Sequence, residues 1–216
     1  MSIATARKKA PLAASRRGRD RRGEILKAAR AVFLERGFLG ASTDEILARS
    51  GGSKETLYAH FGSKLGLFRE VVQGELEIIF TSFAGHADEA PLERLRLAGR
   101  GFIRQAMQSD AIAILRILIA EGVRVPELTA QLRDQAYGTI VRHFAELIAN
   151  VQAAGACTSD DPETLAEIYL DLLQGGTVFR QLLEPNFRLS ARELDAHADT
   201  CLERLARLAS PEHPVP

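Results

Sequence analysis

The sequence has no tryptophan, only two cysteines, and equal numbers of acidic and basic residues over its 216 positions. Cys157 and Cys201 are far apart, and no C-x-x-C or His/Cys cluster accompanies them. We therefore expect free thiols in a reducing cytosol and no metal site. No apolar run is long enough to span a membrane, and the basic N-terminus lacks the apolar segment of a secretory signal. These absences predict a cytoplasmic protein without membrane attachment.

The motifs of the common catalytic classes are also missing. The sequence contains no P-loop, no G-x-S-x-G, no H-E-x-x-H and no spaced set of histidines and carboxylates. His86, His143 and His197 are widely separated, and Asp161 precedes a proline at a predicted helix start, where it is expected to be a cap. We therefore expect neither an enzyme nor a bound cofactor.

The zero net charge hides an asymmetry along the chain. Residues 1–70 carry 15 Lys and Arg against 7 Asp and Glu, whereas residues 71–216 carry 13 against 21. A basic N-terminal third joined to an acidic remainder indicates one domain that faces nucleic acid and a second with another role. An architectural DNA-binding protein would explain the basic part, but not 140 acidic-leaning residues with a well-made core.

Apolar residues recur at helical spacing over most of the chain, which predicts an all-α fold of about nine helices and no strand. A break at 81–90 separates the fourth and fifth helices, and a glycine pair interrupts the helix that starts at Pro162. Either a kink or a close approach of two helices would explain that pair. The main predicted helices are 21–36, one after Ser42, 54–60, one from Lys64, one from Pro91, 111–122, 126–155, 161–183 and 190–208.

The stretch from Ser42 to Lys64, STDEILARSGGSKETLYAHFGSK, contains three helix starts and a glycine break. Ser42 with Glu45 forms a capping box, and Gly51 and Gly52 allow a tight reversal before Ser53 caps the next helix. Two short helices joined by such a turn are the helix-turn-helix signature, whose second helix lies in the DNA major groove.

Residues 22–64 also resemble the tetracycline-repressor (TetR) family, above all in the segment SKETLYAHFGSK at 53–64. The resemblance implies an N-terminal helix-turn-helix domain, a C-terminal helical bundle that holds a small-molecule effector and forms a homodimer, and a palindromic double-stranded DNA operator. Repression is the usual mode of action in this family. The domains expected are a disordered basic arm at 1–20, the DNA-binding domain at 21–66, the ligand-binding and dimerisation domain at 67–210 and a tail at 211–216.

The predicted DNA contacts combine chemistry with this resemblance. Lys54 suits a guanine edge or a phosphate, and Tyr58 is assigned to phosphate by the resemblance alone. Helix N-termini at Ser42 and Lys64 favour phosphate. Arginines at the end of the arm are expected to reach phosphate or the minor groove. The full set is Arg19, Arg21, Arg22, Ser42, Thr43, Ser53, Lys54, Glu55, Thr56, Tyr58, His60 and Lys64.

Two positions depart from the family pattern. Gly52 stands where a small aliphatic residue usually packs into the turn, which predicts a looser turn. Glu55 stands where a small residue is common. An acid there repels phosphate but can accept a hydrogen bond from cytosine N4, so Glu55 bears on the operator sequence.

The dimer is expected to form through the helices near 161–183 and 190–208, and the alternative is that their apolar stripes close the core of the single chain. Arg116 is expected to pair with an acid, to extend to solvent or to meet a ligand. A regulator without an effector is the closest alternative function. The predicted pocket residues are Phe102, Met107, Arg116, Leu118, Tyr137, Phe144, Tyr169 and Phe179, with Arg100, Arg104, Gln105 and His143 as further polar candidates.

Overall fold

A computed structural model of the chain describes residues 12–81, 88–131, 137–155 and 161–209, with side chains except at 12–19 and 131. Within these ranges every regular element is a helix, so the predicted all-α fold is confirmed. Residues 1–11 of the predicted arm, the predicted tail and Cys157 lie outside them. The ten helices are α1 Leu12–Gly40, α2 Thr43–Ser50, α3 Lys54–Phe61, α4 Lys64–Thr81, α5 Pro91–Ala106, α6 Ser109–Glu121, α7 Glu127–Gln131, α8 Gly138–Ala153, α9 Pro162–Leu183 and α10 Ala191–Leu208.

The chain divides into two compact units, Met1–Val71 and Val72–Pro216, and α4 has residues in both. In the first unit, α1 begins at Leu12, nine residues before its predicted start, so the predicted arm is helical from that point. Leucine, alanine and arginine dominate this added segment, and all three favour helix. At the other end the backbone leaves the helical conformation at Gly37 (φ 72°, ψ 179°), where the sequence predicts the helix to end.

An aromatic cluster closes the core of the first unit. The Phe33 and Phe68 rings meet edge-on with centroids 5.1 Å apart, and the centroid of Phe38 lies 5.3 Å from that of Phe68. Edge-to-face pairs of this kind add to the stability that burial alone provides. Phe38, at the end of α1, is therefore part of this core.

Serine caps begin the next three helices, as predicted. The capping box expected at Ser42 is only half formed, because the Glu45 carboxylate accepts a hydrogen bond from Arg49 at 2.7 Å. Each serine accepts one of the amide protons that the first helical turn leaves unsatisfied. The three bonds run to Ser42 Oγ from the amide of Glu45 (3.1 Å), to Ser53 Oγ from that of Thr56 (3.2 Å) and to Ser63 Oγ from that of Gly66 (2.9 Å).

In the second unit, α8 and α10 each pack against both α5 and α9. Phe144 lies in this core and meets Phe102 and Tyr169 edge-on, with centroids 5.8 and 5.5 Å apart. Most of the apolar stripe predicted on α10 is buried in the same core and closes the single chain, whereas Leu208 at the end of the helix is 61% exposed. The buried members of the stripe are Leu194, Ala198, Cys201 and Leu205.

The helix predicted at 126–155 is described as α7 and α8, and residues 132–136 between them lie outside the described residues. Other helix starts agree with the sequence. Pro91 is the first residue of α5, and the Asp161 carboxylate accepts the amide proton of Thr164 at the start of α9. Ser190 and Glu193 form a complete capping box at the start of α10.

Helix α9 is kinked at Gly175, which has φ −1° and ψ −119°. A Cβ atom built on Gly175 would meet nothing within 4 Å among the described atoms, so a kink explains the glycine, whereas a close helix approach does not. The two side chains that bond backbone carbonyls just before the kink come from α10. His197 Nε2 lies 2.9 Å from the carbonyl oxygen of Leu173, and Cys201 Sγ donates to that of Leu172 at 3.2 Å. Burial raises the pKa of the Cys201 thiol, which favours its protonated, donating form.

Arginine–aspartate pairs join α5 to α10. Arg100 donates two bonds to Asp199, at 2.6 and 2.9 Å, and Arg104 bonds Asp195 in the same forked geometry. Paired nitrogens and oxygens of this kind fix the side-chain geometry as well as the charge. Arg100 and Arg104, considered as polar pocket residues, therefore bind α10.

Gly99 on α5 leaves space for the Tyr169 side chain of α9. A Cβ atom there would overlap the Tyr169 hydroxyl and lie 3.0 Å from the ring carbon that carries it. The Tyr169 side chain is fully buried, and its hydroxyl has no hydrogen-bond partner among the described residues. Burial also raises the pKa of this phenol, so it stays neutral. Packing alone therefore holds the hydroxyl against α5.

Gly99→Ala is expected to destabilise the protein by about 2 kcal/mol, because the added methyl group meets a ring that the close-packed core prevents from moving. Thermal unfolding should show a melting temperature lowered by roughly 4–8 °C. Adding Tyr169→Phe removes the overlapping oxygen and should restore more than half of that loss.

Gly74→Ala on α4 is the matched control, since a Cβ atom there meets nothing within 4 Å. It should leave the melting temperature unchanged or raise it slightly, because alanine favours helix. The packing argument is wrong if Gly99→Ala and Gly74→Ala melt alike.

Candidate nucleic-acid interface and internal cavity

Helix α3 presents one side to the core and the other to solvent. Leu57 is fully buried and Phe61 nearly so, and they attach this eight-residue helix to the first unit. Thr56 is half-buried and also hydrogen-bonded to Ser53 at 3.1 Å. The exposed side carries most of the side chains predicted to contact DNA: Ser53, Lys54, Glu55, Tyr58 and His60.

The turn before α3 uses two glycines with positive φ, 72° at Gly51 and 98° at Gly52. Arg21 covers this turn from α1. Its Nη1 donates to the carbonyl oxygen of Ser50 at 2.8 Å, and its Cδ would lie 3.8 Å from a Cβ atom on Gly52. The aliphatic part of Arg21 is thus in van der Waals contact with the position that a Cβ atom on Gly52 would occupy. Arg21 therefore supports the turn from within the unit.

Two more predicted DNA contacts are engaged inside the first unit. Arg22 Nη2 lies 2.5 Å from a carboxylate oxygen of Glu70, and its guanidinium lies 5.2 Å from the centre of the Phe61 ring. Lys64 Nζ donates to the carbonyl oxygen of Ala41 at 2.9 Å and lies 4.6 Å from the Phe38 ring centre. These contacts tie α4 to α1 and to the start of α2.

Arg21 and Arg22 lie in the first helix, as the predicted range 21–36 implies, and not at the end of a flexible arm. Both belong to α1, where a helical backbone directs their side chains back onto the folded unit. Arg19 also lies in α1, and its side chain is outside the described residues. The DNA contacts of these three arginines remain predictions.

Lys54, the first residue of α3, forms an ion pair with Asp44 near the start of α2. Its ammonium lies 2.8 Å from one carboxylate oxygen of Asp44 and 3.0 Å from the other. The hydrogen bond to Asp44 is the main reason that the pKa of Lys54 is raised. Sequence reasoning missed this pair, although Asp44 stands in the predicted helix-turn-helix. Ser42 and Thr43, also predicted contacts, lie at the same helix start and are exposed and half-buried respectively.

A second ion-pair group fastens α2 to α1. Arg49 donates two hydrogen bonds of 2.7 Å to the Glu35 carboxylate and one of 2.7 Å to Glu45. The hydrogen bond from Arg49 lowers the pKa of Glu35. Both helices of the predicted motif are thus fixed to the same scaffold helix, which holds their exposed surfaces in place.

The second unit contains a cavity of about 400 Å³. Most of its wall is apolar, and the polar lining side chains among the described residues are Glu75, Thr129, Tyr137 and Gln174. Cavities with apolar walls and few polar groups are typical of small-molecule sites. Several helices contribute to the wall, including α4 with Val72, Leu76 and Ile79, α6 with Ile114 and Leu118, and α9 with Val178.

Of the predicted pocket residues, Phe102, Leu118 and Tyr137 line this cavity. Phe144 and Tyr169 instead lie in the core, and Phe179 is 62% exposed on α9. Hydrophobic periodicity selects all of these positions alike, because core, cavity and surface residues can share one helical stripe. Met107 is buried outside the cavity lining.

Arg116 is also outside the cavity lining. It donates to the carbonyl oxygens of Gln181 and Leu182, at 2.6 and 3.2 Å. Positive charge at a helix C-terminus is favourable, because the last carbonyls lack helical partners. The side chain therefore caps the end of α9, a role that the three predicted alternatives did not include.

Among the described residues, none of the helices combines the length and apolar character required to span a membrane. The same part of the chain contains no group of three or more His, Cys, Asp or Glu side chains placed to hold a metal ion.

Several relatives are transcriptional regulators. The HTH-type transcriptional activator FasR of Mycolicibacterium smegmatis is 34% identical over 132 residues, which are 58% of this chain and 60% of FasR. UidR of Escherichia coli, an HTH-type transcriptional regulator, is 28% identical over 161 residues, covering 71% of this chain and 78% of UidR. The chain thus spans less than two thirds of FasR and more than two thirds of UidR.

Solved structures of regulators share the fold. A TetR-family transcriptional regulator from Mesorhizobium loti superimposes with a TM-score of 0.77 at 27% identity, covering 89% of this chain and 98% of that one. The flavonoid-responsive regulator FrrA gives a TM-score of 0.73 at 25% identity, covering 90% of this chain and 99% of FrrA.

Family models match both units. Residues 25–71 match the TetR family of bacterial regulatory proteins, and residues 93–207 match the C-terminal domain of AefR-like transcriptional repressors. The second match alone covers more than half of the chain. Members of this family are DNA-binding regulators without enzymatic activity, which confirms the expectation of a non-enzyme. The chain belongs to the TetR family of transcriptional regulators.

Proposed function

We propose that the protein is a ligand-responsive repressor, which binds a palindromic operator as a homodimer in the cytoplasm and is released by a small, largely apolar effector. The observation that carries the proposal is that α3 has one buried side and one exposed side. Leu57 lies on the buried side, and Lys54 is the first residue on the exposed side. A short helix held in this way can enter a major groove with few side chains, and the first of them contact the bases.

The proposed DNA contacts narrow the assignments made from the sequence, which left both a base edge and a phosphate open for Lys54. Lys54, Glu55 and Thr56 begin α3 and are assigned to base edges. Tyr58 is 43% exposed and is assigned to a phosphate. The start of α2 at Ser42 is a second phosphate contact, where free amide groups and the helix dipole attract anions. Because one such unit makes few contacts, two copies on adjacent half-sites are needed for specific affinity.

Exposed apolar residues support a dimer interface on α9 and α10. Phe179 and Leu183 on α9 are 62% and 66% exposed, and Leu208 on α10 is 61% exposed. Phe179 and Leu183 are four positions apart and therefore share one side of α9, and large apolar side chains grouped on a surface mark sites of association. Gly175 and Gly176 at the kink are exposed, and a Cβ atom on either would meet nothing within 4 Å, so the kink leaves this surface open.

The cavity in the second unit supports the effector. It takes its wall partly from α4, the helix that begins in the first unit. A molecule that binds differently to two positions of α4 would shift their populations and so alter DNA binding. The name of the flavonoid-responsive regulator FrrA is consistent with a ligand of aromatic, mainly apolar character.

Lys54→Ala is expected to weaken binding to the operator about tenfold while weakening binding to a scrambled duplex much less, because a lost base contact reduces discrimination. Operator fragments selected from the source genome, and a scrambled duplex of the same length, are compared by fluorescence anisotropy. Lys27→Ala, an exposed lysine on α1, is the charge-matched control. Equal losses on both duplexes would contradict a base-reading role for Lys54.

Phe179→Glu with Leu183→Glu is expected to convert the dimer to single chains, because two charges would be buried in an apolar contact. Sedimentation velocity should show the mass halved, and operator affinity should fall by more than tenfold as the second half-site is lost. Val123→Glu, at an exposed apolar position after α6, is the control and should leave the mass unchanged. A double variant that keeps the mass of the unmodified protein would place the interface elsewhere.

Ala111→Trp is expected to fill the cavity, because Ala111 is a lining residue. The uncharged fluorescent probe N-phenyl-1-naphthylamine should bind the unmodified protein and lose affinity by about tenfold or more in the variant. Ala120→Trp, at an exposed position on the same helix, should bind the probe normally. If the unmodified protein binds neither this probe nor any member of a panel of neutral aromatic compounds, the alternative regulator without an effector is favoured.

A further inference from the structure

The ion pair between Lys54 and Asp44 joins the starts of α2 and α3, the two helix ends proposed to face DNA. Both side chains are well exposed, 55% for Lys54 and 71% for Asp44. Pairs this exposed contribute little to folding stability, because water screens the charges and ordering the side chains costs entropy. The main effect of the pair is therefore on the charge of this surface and on the position of the Lys54 ammonium.

Among the described residues at these two helix starts, exposed acids accompany Lys54. Asp44 and Glu55 are both exposed acids, and Glu55 directly follows Lys54 in the sequence. Arg21 and Lys64, which the sequence also assigns to DNA, donate to backbone carbonyls inside the unit. Phosphate attraction, which dominates non-specific affinity, is therefore reduced around Lys54.

A phosphate and a guanine edge interact differently with the Lys54–Asp44 pair. A phosphate that approaches Lys54 also approaches the Asp44 carboxylate, and the like charges repel. The edge of a guanine carries no net charge and offers two acceptors, N7 and O6. An ammonium group has three donors, so Lys54 can bond both acceptors and still keep one bond to Asp44.

We propose that Asp44 is a positioning and specificity-determining residue, which holds the Lys54 ammonium for a base edge and reduces its attraction to phosphate. The inference rests on the proposed function, in which Lys54 contacts a base. It assigns to Asp44 an effect on the ratio of operator to non-specific affinity. Asp44 itself makes no base contact in this scheme.

Asp44→Asn tests the inference in the full-length protein. Affinity for the scrambled duplex should rise about fivefold at 0.1 M salt, and its log–log salt slope should steepen by about 0.9, the value for one added phosphate contact. Operator affinity should change less than twofold, so the ratio falls. Asp44→Glu keeps the carboxylate and should preserve the ratio.

Asp88→Asn provides the control for net charge, because Asp88 is an exposed acid between α4 and α5. It should leave both affinities unchanged. If Asp88→Asn raises non-specific affinity as much as Asp44→Asn does, net charge explains the effect and the inference is overturned.

A double-mutant cycle shows whether Asp44 acts through the lysine. In a Lys54→Gln background, Asp44→Asn should no longer change the ratio or the salt slope. An undiminished effect would mean that Asp44 repels phosphate by itself, which overturns the proposed positioning.

Different results would contradict the base contact of Lys54 and the positioning role of Asp44. If Lys54→Ala lowers operator affinity selectively but Asp44→Asn leaves the ratio unchanged, only the role of Asp44 is wrong. If Lys54→Ala affects both duplexes equally, the base contact and the inference that rests on it are both overturned.

Discussion

An eight-residue helix cannot persist alone in water, because nucleation costs more than two turns of hydrogen bonds recover. Helix α3 exists because Leu57 and Phe61 are buried and because Ser53 caps its start. Burying one side of so short a helix also determines the other side. The exposed residues of α3 are those that remain once these two anchors are placed, so packing in the core defines the surface offered to DNA.

Contacts outside α3 also fix the position of this helix. Arg21 covers the glycine turn and bonds the last carbonyl of α2, while Arg49 fastens α2 to Glu35 on α1. These basic side chains support the motif from within. A count of arginines and lysines in the first 70 residues therefore overstates the charge that faces a nucleic acid, since part of it is already paired inside the unit.

Local features were predictable from the sequence because their partners lie within four residues. The serine caps, the glycine break and the capping box at Ser190 are all of this kind, and each is present. The pairs of Arg21 with Ser50 and of Arg100 with Asp199 join residues 29 and 99 positions apart, and no local pattern indicates them. The same limit separates cavity from core, because whether Phe102 or Phe144 borders an empty space depends on several helices at once.

Helix α9 has Val178 on the wall of the cavity and the adjacent Phe179 on the outside of the unit. The partition between the two environments is therefore one helix thick at this point. Val178 and Phe179 follow the kink at Gly175. Side chains of α10 bond the backbone carbonyls just before that kink, so the C-terminal part of α9 is held less by its own helical hydrogen bonds than the same part of a straight helix would be. A ligand in the cavity and a partner on the outer surface would contact opposite sides of the same backbone. A larger group on either side would therefore displace α9 toward the other side.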